Sequence, residues 1–426
     1  MLVFAVVLGL AIAVLIGIAV VDTNDSPRRA PAMGSDLVQV IQQDYRMRAV
    51  QASMKPVELV RWDLAPQTLN ELLDLPSDQL HRVDIARMNL LCASRLPSTE
   101  GLDIDHALAT LDAWAERVAF ETERHLYRVN DPRYAETYGG SEAQFRAAML
   151  AQVLQEDLGV KYNMTAEGNF SFADPSVAFI HGMIPPEGKT TADTPGGTCA
   201  SMPVLYVAVG RRLGYPLKLA TTDSHIFVRW DGKDHEKPGF RGYFNCETTN
   251  GFVRLDDDYY RTWPYPVTDQ QIAVNGFLQS LSPAEEMAQF MAARGHHGMD
   301  VGQIGFAARC YENAYRYDRR RPCYRSWFMA AATRTNYEPV TPTLRHMLAS
   351  LPMQPRRGVR SHVPPTFGTP TPSQTRSRLT PGIPLPPSHP GFGTHRRQDP
   401  PFGAVPRVVQ PPSPTTYYDP YYQSPR

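Results

Sequence analysis

The sequence predicts an α+β fold, because helical and strand patterns occupy separate stretches of the chain. Apolar residues recur at spacings of three or four between residues 66 and 154 and again after residue 282. Between residues 217 and 249 they alternate with polar residues instead, as in strands that bury one face. We therefore expect a short group of strands with helices before and after it in the chain.

The first helices are predicted to form a helical domain of residues 51–165. Asp103 is a suitable N-cap for a long amphipathic helix. Ser141, three residues before Gln144, has the capping-box pattern that begins another helix. Shorter helical patterns cover residues 66–75 and 84–94.

The next segment, residues 166–270, is predicted to hold one helix followed by antiparallel strands. Two glycines allow a tight turn before the helix, and Gly214 and Pro216 end it. An Asp-Gly turn signal separates two of the strands. The predicted helix covers 200–213, and the predicted strands lie near 217–219, 226–228 and 243–249.

A helical hairpin is predicted in residues 271–350. Ser282 and Pro283 begin its first helix, and its second helix covers about 304–317. Small and aromatic residues in the hairpin have the spacing of one tetratricopeptide repeat. A single repeat and an ordinary helical hairpin both fit this pattern. The residues concerned are Gly295, Ala307, Tyr311 and Ala314.

The first residues predict a membrane segment. Positions 2–21 carry twenty consecutive apolar or glycine residues, enough at about 1.5 Å per residue to cross a bilayer core. We interpret residues 1–22 as a single-pass anchor and 23–50 as a juxtamembrane linker, with a cleaved signal peptide as the alternative. By the positive-inside rule, the basic residues that follow place the soluble part in the cytoplasm. These residues are Arg28, Arg29, Arg46 and Arg48.

The last residues, 351–426, are predicted to be a disordered tail. They are rich in Pro, Ser, Thr and Gly, and they contain nine Arg, two Asp and neither Lys nor Glu. The formal charge of the whole chain is zero, so the basic tail is balanced by an acidic remainder. The Pro-rich stretches and the terminal tyrosines suit a protein partner, but the composition favours a solvated extension without a specific ligand.

The residues that point to chemistry are Cys199, His225 and a polar residue on the third strand. A thiol with a pKa of about 8.5 is mostly protonated at neutral pH and needs a base to become a nucleophile. Cys199 lies at the predicted helix N-terminus, where backbone amides can also stabilise an oxyanion. His225 follows 26 positions later at the start of a strand, and Glu247 follows after a further 22. Glu247 or Asn245 is expected to orient the imidazole.

This stretch resembles the transglutaminase-like cysteine superfamily. The papain-like core of that family has a Cys at the start of a helix, a His on the next strand and a carboxylate on the strand after it. The resemblance rests on the Gly-Gly-Thr-Cys-Ala-Ser run at 196–201 and on the helix that ends in Arg-Arg-Leu-Gly-Tyr-Pro at 211–216. It covers about residues 190–252. The family usually has Asp followed by Pro where this chain has Glu247 and Thr248. A bacterial subgroup with a preceding helical domain and following tetratricopeptide-like helices has the same organisation.

The resemblance implies thiol acyl transfer or amide hydrolysis on a protein or peptide substrate, and the apolar run at residues 2–21 adds a membrane anchor to this prediction. The alternative is an inactive membrane-tethered scaffold that binds partners through its helical unit and tail. No nucleotide-binding loop, metal-ligand spacing or nucleic-acid motif is recognisable. We therefore expect no cofactor, no metal and no nucleic-acid partner.

Overall fold

The computed structural model describes residues 57–138, 140–166, 169–232, 242–249 and 253–350. The predicted anchor (1–22), the predicted juxtamembrane linker (23–50), the first residues of the predicted helical domain (51–56) and the tail (351–426) lie outside these residues. Among the residues that the structure does describe, no helix is long and apolar enough to cross a membrane.

The fold is α+β, with one four-stranded antiparallel sheet and helices on both sides of it in the sequence. The strands follow in the order β1–β2–β3–β4. They are β1 (Leu217–Thr222), β2 (His225–Asp231), β3 (Tyr243–Glu247) and β4 (Val253–Leu255). The α-helices are α1 (Leu69–Asp74), α2 (Ile85–Ala93), α3 (Ile104–His125), α4 (Ala135–Tyr138), α5 (Glu142–Gln152), α6 (Met202–Arg212), α7 (Asp257–Thr262), α8 (Asp269–Asn275), α9 (Pro283–Asp300), α10 (Ile304–Tyr317), α11 (Pro322–Ala332) and α12 (Pro342–Ala349).

Side-chain caps begin the helices where the sequence predicts them. The Asp103 carboxylate accepts the amide hydrogen of His106 at 2.9 Å at the start of α3. Ser282 and Glu285 form a reciprocal capping box at the start of α9. At α5 the Ser141 hydroxyl accepts the amide hydrogen of Gln144, which is half of the expected box. The remainder of that helix continues as a π-helical turn over Val153–Asp157.

The sheet has one face in the main core and one face that carries polar groups. Strands β1 and β2 pair from Leu217 with Trp230 to Thr222 with His225, and β2 pairs with β3 through Val228 and Cys246. Side chains alternate along a strand, so Val228 and Trp230 join the core with α6 while His225 lies on the opposite face.

One hydrophobic core joins the segments before, within and after the sheet. The Cys92 sulfur on α2 lies 3.9 Å from the sulfur of Met287 on α9. Arg211 at the end of α6 donates to the Glu286 carboxylate at 3.0 Å and 2.5 Å. The helices after the sheet are therefore packed against the helix that follows Cys199.

Helices α9 and α10 form the predicted hairpin. A Cβ on Gly295 would lie 2.5 Å from the ring of Tyr311, and a Cβ on Gly298 would lie 3.2 Å from the Cβ of Ala307. Glycine therefore permits the close approach of the two helices. Two further helices, α11 and α12, follow the hairpin and extend it beyond the sequence prediction.

Candidate active site

Two glycines determine the path of the backbone before Cys199. Gly196 has a φ of +98°, and a Cβ there would lie 2.7 Å from the carbonyl oxygen of Lys161. Gly197 donates to that same carbonyl at 3.0 Å, and its own Cβ would lie 2.3 Å from the sulfur of Met183. Only glycine fits this close passage without displacing neighbours.

Thr198 and Ser201 hold the turn that carries Cys199. The Thr198 hydroxyl donates to the carbonyl oxygen of Val177 at 2.6 Å and accepts the Ala200 amide hydrogen at 3.1 Å. The Ser201 hydroxyl donates to the Val177 carbonyl at 3.1 Å and accepts the Thr198 amide hydrogen at 3.0 Å. Cys199 therefore lies in a hydrogen-bonded turn, and helix α6 begins two residues later than predicted.

Among the described residues the amide of Cys199 has no acceptor, so it is the donor of this turn that is available to an oxyanion. The amides of Ser201 and Met202 donate to the Thr198 carbonyl at 3.1 Å and 2.8 Å, and the Ala200 amide donates to the Thr198 hydroxyl. The expectation that several amides of the helix N-terminus face an oxyanion is therefore corrected, since these three are occupied within the turn.

His225 lies between Cys199 and Glu247. Its Nε2 is 2.7 Å from Oε2 of Glu247, and Cys199 lies near enough to the imidazole to raise its pKa. Because Nε2 is hydrogen-bonded to Glu247, Nδ1 is the ring nitrogen left to interact with the sulfur of Cys199. His225 is buried, whereas Cys199 is partly exposed. The three predicted residues therefore lie together, with Cys199 the most accessible of them.

The Glu247 carboxylate is held by four hydrogen bonds in a buried position. Oε2 faces His225 and accepts the hydroxyl hydrogen of Tyr260 at 3.1 Å. Oε1 accepts the amide hydrogen of Thr249 at 3.0 Å and its hydroxyl hydrogen at 2.7 Å. Both oxygens of the Glu247 carboxylate are thus held in position, and the carboxylate in turn orients the imidazole of His225.

Burial and charge act in opposite directions on this pair. Burial lowers the pKa of His225, but the charge and hydrogen bond of Glu247, together with the nearby Cys199, outweigh it and raise the pKa to about 10. Burial raises the pKa of Glu247, but His225 and Thr249 outweigh it and hold the pKa below its usual value. At neutral pH the pair is therefore an imidazolium and a carboxylate.

Asn245 lies elsewhere on the sheet. Its side-chain oxygen accepts from Nε of Arg229 at 2.7 Å, and its amide nitrogen donates to Asp257 at 2.8 Å. Arg229 also donates to the Asp257 carboxylate at 2.6 Å. The structure thus brings Glu247, and not Asn245, to His225, and it places Asn245 in a buried ion-pair network.

Two aromatic residues that the sequence analysis did not single out enclose the imidazole. The Trp263 ring lies edge-on to His225, with centroids 4.6 Å apart and planes at 72°. Tyr260 stacks on Phe227 at 3.8 Å, which fixes the hydroxyl that reaches Glu247. Tyr260 lies on helix α7. The cluster of aromatic residues between 259 and 263 is the sequence feature that could have indicated these contacts to the imidazole.

A pocket opens beside Cys199 and His225, with a cavity volume of about 100 Å³. Helices that follow the sheet in sequence form much of its wall, including Phe290 and Ala293 on α9 and Trp327 on α11. The C-terminal helical unit therefore contributes directly to the surroundings of the candidate nucleophile.

The adjacent pair His296 and His297 has separate partners. Nδ1 of His296 is 2.8 Å from the Tyr311 hydroxyl, and Nδ1 of His297 is 2.8 Å from the carbonyl oxygen of Phe172. Within the described parts of the chain, no group of three or more His, Cys, Asp or Glu side chains has the geometry of a metal site.

Comparisons with protein-family models, with curated proteins and with solved structures found no significant match to this chain. Function is therefore inferred from the geometry of the site.

Proposed function

We propose that the protein is a transglutaminase-like cysteine enzyme that forms an acyl-enzyme on Cys199. The observation that carries the proposal is the cluster in which His225 is hydrogen-bonded to Glu247 and lines the same pocket as Cys199. The order of its parts also supports it, because the cysteine precedes a helix and the histidine and carboxylate lie on the neighbouring antiparallel strands β2 and β3.

The first half-reaction follows from the positions of these groups. Cys199 reacts as a thiolate whose proton is already held on the imidazolium of His225, and Sγ forms a bond to the carbonyl carbon of an amide, ester or thioester. The amide hydrogen of Cys199 stabilises the oxyanion. The tetrahedral intermediate then breaks its bond to the leaving group, which takes the proton from His225, and a thioester remains.

The second half-reaction depends on the acceptor. Water releases a carboxylic acid, and an amine forms a new amide. His225 removes the proton from either acceptor, while Glu247 keeps the imidazole oriented and stabilises its charged form. We include in this proposal the anchor that the sequence predicts at residues 1–22, which would hold this chemistry at a membrane surface.

The test is the capture of the thioester. The full-length protein in detergent is incubated with peptide, glutamine-containing and acyl-thioester donors, and Cys199 is examined by mass spectrometry after acid quenching. We expect an acyl group on Cys199 and none after Cys199→Ala. Cys310 is buried in the core, and Cys310→Ala is the matched control that keeps the adduct. Failure of every donor, together with retained binding of partner proteins by Cys199→Ala, would favour the scaffold alternative.

A further inference from the structure

The pocket beside Cys199 has the character of a binding site for an apolar group. Its walls include the rings of Phe172, Phe277, Phe290 and Trp327. Ala293 on α9 is a small residue at the wall and keeps the space open.

The ionisable groups at the wall are neutral or already paired. Burial lowers the pKa of His296 to about 3, so its imidazole is uncharged at neutral pH. The same effect raises the pKa of the Cys323 thiol to about 12. Arg321 forms a buried ion pair with Asp318 at 3.3 Å and donates to the Thr221 hydroxyl at 2.9 Å. The wall therefore offers no net charge to a ligand.

The cavity volume limits the size of the occupant. An engineered apolar cavity of about 150 Å³ holds benzene. The cavity beside Cys199 measures about 100 Å³, which is too small for a phenyl ring and suits a branched chain of a few carbons.

We infer that this pocket is the subsite for a short, uncharged aliphatic acyl side chain of the substrate whose carbonyl Cys199 attacks. The inference rests on the proposed acyl-enzyme. It selects among substrates, because Cys199 and residues of helices α9 and α11 line the same pocket.

The test is a series of p-nitrophenyl esters with acetyl, isovaleryl, phenylacetyl and succinyl groups. Sγ of Cys199 bonds to the carbonyl carbon, the carbon–oxygen bond breaks, and p-nitrophenolate leaves with the electron pair and is measured. Each rate is divided by the rate of the same ester with N-acetylcysteine, which removes differences in intrinsic reactivity. We expect the isovaleryl ester to exceed the acetyl ester by at least about tenfold and to exceed the other two as well.

Ala293→Phe fills the cavity and should lower the isovaleryl-to-acetyl ratio by about tenfold or more. Ala330→Phe is the matched control, because Ala330 is exposed on α11 and should keep the ratio. Ala293→Val is used in the same way if circular dichroism shows that Ala293→Phe is unfolded. An isovaleryl-to-acetyl ratio near one in the wild type, or a ratio that a folded Ala293 variant leaves unchanged, would overturn the subsite.

If no ester reacts faster with the wild type than with His225→Ala, the proposed function itself fails, and the subsite fails with it.

Discussion

At the scale of single residues, Glu247 and Asn245 show what the sequence can and cannot distinguish. The strand pattern predicts that both lie on the same face of β3, and alternation along a strand cannot separate them. The separation comes from residues distant in sequence, since Asp257 on α7 engages Asn245 and Tyr260 on the same helix engages Glu247.

Replacement of the two residues should therefore have different effects on catalysis. Glu247→Ala removes the partner of a buried imidazolium, and we expect acylation of Cys199 to fall at least about a hundredfold. Asn245→Ala leaves Arg229 and Asp257 paired with one another, so acylation should change by less than about fivefold while the free energy of unfolding falls by about 1–3 kcal/mol. The measurements are burst kinetics and urea denaturation. Equal loss of acylation in both variants would contradict the assignment.

The His225–Glu247 pair also predicts how stability depends on pH. The pKa of His225 is about 10 in the folded protein and about 6.5 in an unfolded chain, so the stabilising contribution is complete below pH 6.5 and is lost as the pH rises towards 10. The lowered pKa of Glu247 means that its contribution is present above the pKa of an unfolded glutamate and is lost as the pH falls through the lowered folded value.

Urea denaturation of the wild type and of Glu247→Gln at pH 5.5, 7.5 and 9.5 tests this dependence. The free energy of unfolding of the wild type should exceed that of Glu247→Gln by on the order of 3 kcal/mol at pH 5.5, and this difference should shrink at each higher pH. A difference that stays constant across the series would show that His225 is not charged in the folded protein.

At the scale of elements, the turn before α6 decides where the nucleophile lies. The sequence predicts a helix from residue 200, but the bonds of Thr198 and Ser201 to Val177 delay its start to Met202. These bonds depend on a segment more than twenty residues away in the chain, so helical periodicity alone does not reveal them. Strand β4 and helices α11 and α12 were likewise not predicted.

Gly196 and Gly188 form a matched pair for testing the approach to this turn. Both have positive φ, but a Cβ on Gly196 meets the Lys161 carbonyl at 2.7 Å, whereas a Cβ on Gly188 meets nothing within 4 Å. We expect Gly188→Ala to cost about 1 kcal/mol of unfolding free energy and Gly196→Ala about 3 kcal/mol, with slower acylation of Cys199 only in the latter. Similar losses in both variants would show that the close passage at Gly196 is unimportant.

At the scale of the whole molecule, the helices on either side of the sheet share one core, and this places α9 and α11 beside the nucleophile. The sequence predicted the hairpin as a separate unit that could serve as a binding surface. Contacts such as those of Cys92 with Met287 link residues almost two hundred positions apart, and no local pattern carries that information.

The packing of α9 on α6 can be tested at the Arg211–Glu286 ion pair, which joins the two helices. Glu286 is fully buried, so Glu286→Ala leaves the Arg211 charge without its partner and should lower the free energy of unfolding by about 3–5 kcal/mol. Arg261 and Asp269 form an exposed ion pair, and Asp269→Ala should cost less than about 1 kcal/mol. Urea denaturation of both variants checks the contrast. Equal costs would argue against the tight packing of α9 on α6.

The most direct test of the central claim is the rate of alkylation of Cys199 by iodoacetamide between pH 5 and pH 9, in the wild type and in His225→Ala. The site predicts rapid alkylation in the wild type already at pH 6, where an unassisted thiol reacts slowly, and a fall of at least about tenfold at that pH in the variant. Identical profiles for the two proteins would show that His225 does not assist Cys199, and the proposed enzyme would be rejected in favour of a binding protein that retains the fold.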